Sequence, residues 1–473
     1  MQYLFFGIDF GTFTTTISHI KNAASFEPEI IRIDNSKIVE TVLRVTADGQ
    51  QVELIGSDAW ANAYEAPGRT FFEFKPNIAS GEKYPMDGQN LTAEGIGKLF
   101  LSYVRKRIEQ TVFNKETLTE IAKVRKITTV IGYPAEWDEV QKKATVQMAS
   151  GAGFPNVSGC DEPLGAIYYH YYQGDIDLEK EQYVLVHDFG GCSTGTSIVE
   201  IRPGAEPHVH AVSVVKDAGG RKYDERITAD VTDGICKQTG SETLPLEDIL
   251  LIRRHCRQIK ESLSLNIENR VESAQETIPR LKTKNFEHVM TLTKDNFEKM
   301  HSDLLNDFAE PIRDVLDKAS IHAKKINMVI STGGSSRFYF VPEKLREIFP
   351  DAIFLRSTHP QECVSKGLSL YVKMRACGLE CLKPENKSKP VRIAQETLKQ
   401  RKTGMGKKSL HQNTETNADG TGHIKSGMDT YPKKPAKQKK PGMGKIILES
   451  IKWTILTALL LLFVFVVLGV FWK

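Results

Sequence analysis

Apolar runs that end in glycine recur three times along this chain: LFFGIDFG (Leu4–Gly11), YVLVHDFGG (Tyr183–Gly191) and INMVISTGG (Ile326–Gly334). Short continuous apolar runs bounded by turn residues read as strands covered on both faces. TTTISHI (Thr14–Ile20), EIIRID (Glu29–Asp34) and ETVLRVT (Glu40–Thr46) read as further strands. A helix-rich stretch is expected from Thr92 to Val124. VRKITTVIGYP then reads as a buried strand and EVQKKATVQMASGAG as a helix. The second half repeats this theme, so the pattern predicts an α/β fold with an approximate internal duplication.

The periodic pattern stops near residue 378. From 379 to 449 the chain is rich in Lys, Gly, Pro, Thr, Asn and Gln. Such a segment buries too little apolar surface to offset chain entropy and is expected to be a disordered linker. Residues 450–473 contain WTILTALLLLFVFVVLGVFW, uncharged from Trp453 to Trp472. At 1.5 Å per residue this is about 30 Å of helix, one bilayer core, with tryptophans at both interfaces. A C-terminal transmembrane helix acting as a tail anchor is therefore expected. Lys433, Lys434, Lys437, Lys439, Lys440, Lys445 and Lys452 precede it, and Lys473 follows. That asymmetry places the N-terminal domain in the cytoplasm. The lysines nearest the span are expected to meet anionic lipid, each contributing about 1 kcal/mol near the surface.

Charge sharpens this division. The net charge is +4, yet Lys383 to Glu449 alone carries about +10, so the remainder is mildly acidic. A nucleic-acid partner is not expected of such a domain. The seven cysteines form no CxxC pair, which argues against a zinc site or disulfide framework. The N-terminus lacks the basic start of a signal peptide.

The glycine turns carry the candidate chemistry. Asp9 ends the first strand, followed by Gly11, Thr12, Phe13 and Thr14. Asp188 ends the second, followed by Gly190, Gly191, Cys192 and Ser193. The third turn offers Gly333, Gly334, Ser335 and Arg337. Glycines let backbone N–H groups approach phosphate oxygens, and hydroxyls add donors. An aspartate at each of the first two turns suits Mg²⁺ held through water. Two such hairpins facing each other would clamp a triphosphate. Neither is a Walker loop.

With these residues in place, the chain resembles the actin-like ATPase superfamily, and within it the ATPase domain of the DnaK-type heat-shock chaperones. GIDFGTFTTT and VLVHDFGGCSTGTS resemble that family's two phosphate motifs, and VISTGGSSR with VPEKLREIF its adenosine motif. DEPLGAIYYHYY resembles its connecting helix, and IGYPAEWDEVQKKAT the strand, proline turn and helix before it. KDAGGRKYDERI resembles its Gly-Gly turn, Gly219 and Gly220, and HPQECVSKGLSLY its last helix start. The resemblance implies an actin-like two-lobed fold of duplicated ribonuclease-H-like domains over 1–378. Lobe I would span about 1–178 and lobe II about 179–378. It also implies ATP or ADP as ligand with Mg²⁺. Asp9, Glu162 and Asp188 would surround the metal and its waters. Lys75, in RTFFEFKPN, would reach the γ-phosphate and attacking water. Lys260 and Ser264, in RRHCRQIKESLS, would face the nucleoside.

Departures accompany the resemblance. Cys192 replaces the third glycine of the second phosphate turn, and Ser193 a threonine. Arg257 and Glu261 have exchanged charges, which as an i, i+4 pair would survive inverted. Gln361 stands for an aspartate near the base, and Lys142 for the arginine that follows the turn at Pro134. LECLKPENKSKP is not the family's interdomain linker, and no β-patterned segment follows. The expected function is therefore a membrane-anchored, slow Mg²⁺-dependent ATPase switch read by a protein partner at the membrane. A catalytically weak nucleotide-binding scaffold and a membrane-attached actin-like filament are the alternatives.

Overall fold

The structure is a computed structural model. It describes residues 2–21, 27–86, 88–281, 286–355, 357 and 359–378. The linker expected at 379–449 and the span expected at 450–473 lie outside the described residues. Among the described residues no helix is long and apolar enough to cross a membrane.

The first half is built on β1 (Gln2–Phe10), β2 (Thr14–Ile20), β3 (Glu29–Ile30) and β4 (Val39–Glu40). A small three-stranded sheet follows, β5 (Leu43–Val45), β6 (Val52–Ile55) and β7 (Thr70–Phe71), with helix α1 (Gly56–Ala61) among its strands. The hairpin β8 (Lys83–Met86) and β9 (Gln89–Thr92) leads into α2 (Ala93–Thr111) and α3 (Leu118–Ile121). Next come β10 (Arg125–Tyr133), α4 (Glu139–Gly151), β11 (Val157–Asp161) and α5 (Glu162–Gln173). The sheet order is β11-β10-β1-β2-β3, with β4 also paired to β2.

The second half begins with β12 (Gln182–Phe189), β13 (Ser193–Ile201) and β14 (His208–Lys216). The long helices α6 (Gly220–Thr239) and α7 (Leu246–Glu268) follow, then the hairpin β15 (Ser273–Leu281) and β16 (Phe286–Thr293). Helices α8 (Lys294–Met300), α9 (Ser302–Asp307) and α10 (Glu310–Ala319) lead to β17 (Ile326–Thr332). The domain closes with α11 (Val341–Ile348), β18 (Ile353–Leu355) and α12 (Pro360–Cys377). Its main sheet runs β14-β13-β12-β17-β18.

Read from opposite ends, the two main sheets are the same. Each has an antiparallel hairpin, β1–β2 or β12–β13, whose first strand pairs in parallel with β10 or β17, and then with β11 or β18 beyond. The duplication expected from the apolar pattern is thus a duplication of topology. Leu4, Phe5, Phe6, Ile8 and Phe10 are all fully buried, as a strand covered on both faces requires.

Two expectations shift. EIIRID forms only Glu29–Ile30, and ETVLRVT is divided between β4 and β5, because these segments pair with different partners. Helix α12, expected within lobe II, lies on the sheet of lobe I: Ser18 Oγ donates to the Ser365 carbonyl at 2.6 Å, and any Cβ on Gly7 would overlap that carbonyl. Helices α5 and α12 cross at Gly165 and Gly367, where a Cβ on Gly367 would overlap the Gly165 carbonyl. The crossing helices and the two sheets share one apolar core that includes Phe5, Ile167, Val186 and Leu368.

Candidate functional site

A cleft of about 1330 Å³ separates the halves. Asp9, Lys75, Glu162 and Asp188 line it. So do Gly11, Thr12, Phe13, Thr14, Gly190, Gly191, Cys192, Ser193, Gly220, Lys260, Ser264, Gly333, Gly334, Ser335 and Arg337. Of the residues singled out in the sequence as site candidates, only Gly219 does not line it.

The first two turns face each other. In each, a glycine N–H closes the turn on a carbonyl three residues on: Gly11 to Thr14 at 3.0 Å, and Gly190 to Ser193 at 3.1 Å. The Phe13 ring lies on Gly191, where any Cβ would overlap it. Gly333, at φ +82°, brings the third turn against Asp188, and Ser335 Oγ donates to the Gly190 carbonyl at 2.9 Å.

Gly219 and Gly220 hold the second turn through their N–H groups. Their N–H groups go to the Cys192 and Gly190 carbonyls at 3.1 and 3.0 Å, and Arg221 N–H goes to the Gly191 carbonyl at 2.8 Å. The donors at the start of α6 are thus spent on the turn itself. Lys260 is also engaged: its ammonium lies 2.7 Å from Asp224 Oδ1 and donates to the Gly220 carbonyl at 3.2 Å. Cys192 is half-buried, and burial with Glu73 nearby pushes its thiol up to about 12.

The polar centre is a cluster of carboxylates around one lysine. Lys75 is only 4% exposed and donates to Glu162 Oε1 at 2.8 Å, beneath the Trp137 ring. Burial and Glu162 push the Asp9 carboxyl well above the usual carboxylate range, with Asp188 adding to this and Lys75 opposing it. Burial and Glu162 likewise raise Asp188 to about 7, although Thr332 Oγ1 donates to it at 3.3 Å. Glu136 is raised by burial and Glu162 as well. Several carboxyls against one ammonium leave an excess of negative charge that their own surroundings do not neutralise. This donor set, all oxygen and able to work through water, fits a hard divalent cation such as Mg²⁺.

A family model described as Hsp70 protein matches residues 5–380. The chain belongs to the Hsp70 family. Its described part is an Hsp70-type nucleotide-binding ATPase domain with the actin-like two-lobed α/β fold, and the family binds ATP or ADP with Mg²⁺. Against that background, this member carries charged pairs in and around its cleft, and those that join the two lobes were not revealed by sequence patterns. Arg257 bonds Glu261 through Nε at 3.0 Å, so the exchanged pair does survive inverted. It also reaches Glu40 on the other lobe at 3.0 Å. Glu73, at φ +51°, accepts from Arg253 at 2.7 Å and from Arg221, and Arg253 lies over the Trp60 ring. Lys142 pairs with Asp161 at 3.0 Å, next to Glu162. Glu136, Glu40, Glu73, Arg221 and Arg253 were missed because each acts through a partner distant in sequence.

Proposed function

We propose that this Hsp70-family chain hydrolyses ATP slowly with Mg²⁺, that opening and closing of its lobes is the output, and that residues 453–472 hold it at a membrane with the ATPase domain on the cytoplasmic side. The observation that carries the reading is Lys75 with its ring of carboxyls, Asp9, Glu136, Glu162 and Asp188, between two glycine hairpins. Asp9, Glu162 and Asp188 are the residues to hold Mg²⁺, mainly through water. When bound, the ion neutralises phosphate oxygens. Lys75, fixed by Glu162, presents a positive charge where a transferring phosphoryl group gains negative charge. Burial and Glu162 raise Asp188 to about 7 in the absence of metal, so a bound cation would relieve a carboxylate that its surroundings otherwise disfavour. The pairs Arg257–Glu40 and Arg253–Glu73 resist lobe opening, so product release is expected to limit turnover.

Phosphate release by the purified full-length chain, with Mg²⁺ and then with EDTA, tests the reading. Turnover unchanged in Asp9→Ala and Lys75→Ala would falsify it. Resistance of the chain to carbonate extraction, with the domain digestible by protease added on the cytoplasmic face, tests the membrane part.

A second reading has its own support. The Phe13 ring on Gly191, with the Cys192 side chain one residue on, narrows the space between the phosphate turns. On this reading the domain binds nucleotide without turning it over and serves as an anchored scaffold. Calorimetry showing tight ATP binding, alongside absent phosphate release, would favour it.

A further inference from the structure

On the edge of the lobe II sheet, away from the cleft residues, Glu200 of β13 meets two histidines of β14. The register places Glu200 opposite His208, while His210 is the extra residue of a bulge: Val199 pairs with Val209 and Ile198 with Ala211. Residues two apart in a strand share a face, so His208 and His210 both lie on the side of the sheet that carries Glu200. Glu200 Oε2 is 3.1 Å from His208 Nε2 and 3.8 Å from His210 Nδ1, and all three ligand atoms lie within 4.8 Å of one another.

The other oxygen of Glu200 is held from behind. Oε1 accepts from Tyr183 OH at 3.0 Å and from Arg202 Nε at 2.9 Å. Glu200 is 2% exposed, whereas both imidazoles are partly open to solvent. The carboxylate is therefore fixed in orientation, with Oε2 turned toward two partly exposed imidazoles. In a tetrahedral zinc site with bonds near 2.0–2.1 Å, neighbouring ligand atoms are about 3.4 Å apart. The two Glu200 separations bracket that value. Two nitrogens and one oxygen select a borderline transition ion over Mg²⁺ or Ca²⁺, and bonds to the far carboxylate oxygen are what orients a ligating carboxylate.

We propose that Glu200, His208 and His210 form a divalent transition-metal site of the Zn²⁺ class, with solvent completing the coordination. The Arg202 guanidinium opposes cation binding, so the imidazoles must supply most of the affinity.

The test uses tag-free full-length protein, stripped with EDTA and titrated with Zn²⁺ in excess Mg²⁺, which keeps the oxygen-ligand cleft occupied. The expected result is one Zn²⁺ per chain by calorimetry and elemental analysis, and a rise in Tm on adding Zn²⁺. His208→Ala and His210→Ala are expected to weaken binding by more than about 100-fold, and Tyr183→Phe, which removes one of the two donors holding Oε1, by about 10-fold. Both histidines are partly exposed, and unchanged Tm without metal shows that the variants fold. Failure of the wild type to retain Zn²⁺ would overturn the proposal. So would retention of Zn²⁺ or of the Tm rise in the double histidine variant.

Discussion

Arg257 of α7 bonds Glu40 across the cleft at 3.0 Å, and Glu40 is itself the strand partner of Thr14 in the first phosphate turn. The inverted charge pair of α7 is thus a brace between lobes, set directly beside the phosphate site. Because both groups are about a quarter exposed, the contact is worth roughly 1 kcal/mol.

Arg257→Ala is expected to let labelled ADP dissociate about 3–5-fold faster in a stopped-flow displacement experiment, following from that magnitude. Glu40→Ala should do the same, and the double variant should be no faster than either single one. Additive effects would show that the two residues do not act on one brace.

Lys75→Ala removes the only ammonium bonded to Glu162 among the described residues. Single-turnover phosphate release should fall by about 100–1000-fold, the usual cost of losing one charge-stabilising group. Nucleotide affinity should change far less, since the glycine turns are untouched.

The raised Asp188 sets a stability signature. Its folded pKa of about 7 lies above its ordinary value of 3.8, so the folded protein holds this proton more tightly than the unfolded chain does. Stability from this group is complete below about pH 4 and is lost as pH rises through about 7. Asp188→Asn has no such loss. The Tm of metal-free Asp188→Asn minus that of wild type should grow between about pH 4 and 7 and level off above. Saturating Mg²⁺ with nucleotide should shrink the difference. A difference flat across that range would remove the argument for a buried, cation-seeking carboxyl.

Gly191→Ala places a Cβ inside the Phe13 ring. It should weaken nucleotide binding by about 10-fold or more, as overpacking typically costs 1–3 kcal/mol. Phe13→Ala in the same chain should restore most of that loss. Calorimetric titration of both variants checks the coupling, and absence of rescue would mean that Gly191 is required for its N–H or its backbone freedom alone.

The strand–turn–strand units were legible because a fully buried strand announces itself as a continuous apolar run, and because Asp9 and Asp188 interrupt those runs where burial of a charge needs a reason. The short pieces around Glu29 and Val39 were not: their residues alternate like strands, but how far they pair depends on neighbours elsewhere in the chain. Gly219 and Gly220 read as ligand contacts, yet their N–H groups are consumed by the Cys192 and Gly190 carbonyls. A glycine pair in sequence looks the same whether it approaches a ligand or another backbone.

By itself, then, the sequence determined the duplicated α/β plan, the glycine turns and the charged residues that end their strands, since periodicity and backbone freedom are local properties. Tertiary structure alone decided which charges distant in sequence meet. The raised Asp188, the Lys75–Glu162 pair, the Arg257–Glu40 brace and the Glu200–His208–His210 cluster each join segments whose approach depends on sheet register or lobe closure. Coulomb energy and desolvation depend on distance and burial in space, which spacing along the chain does not encode.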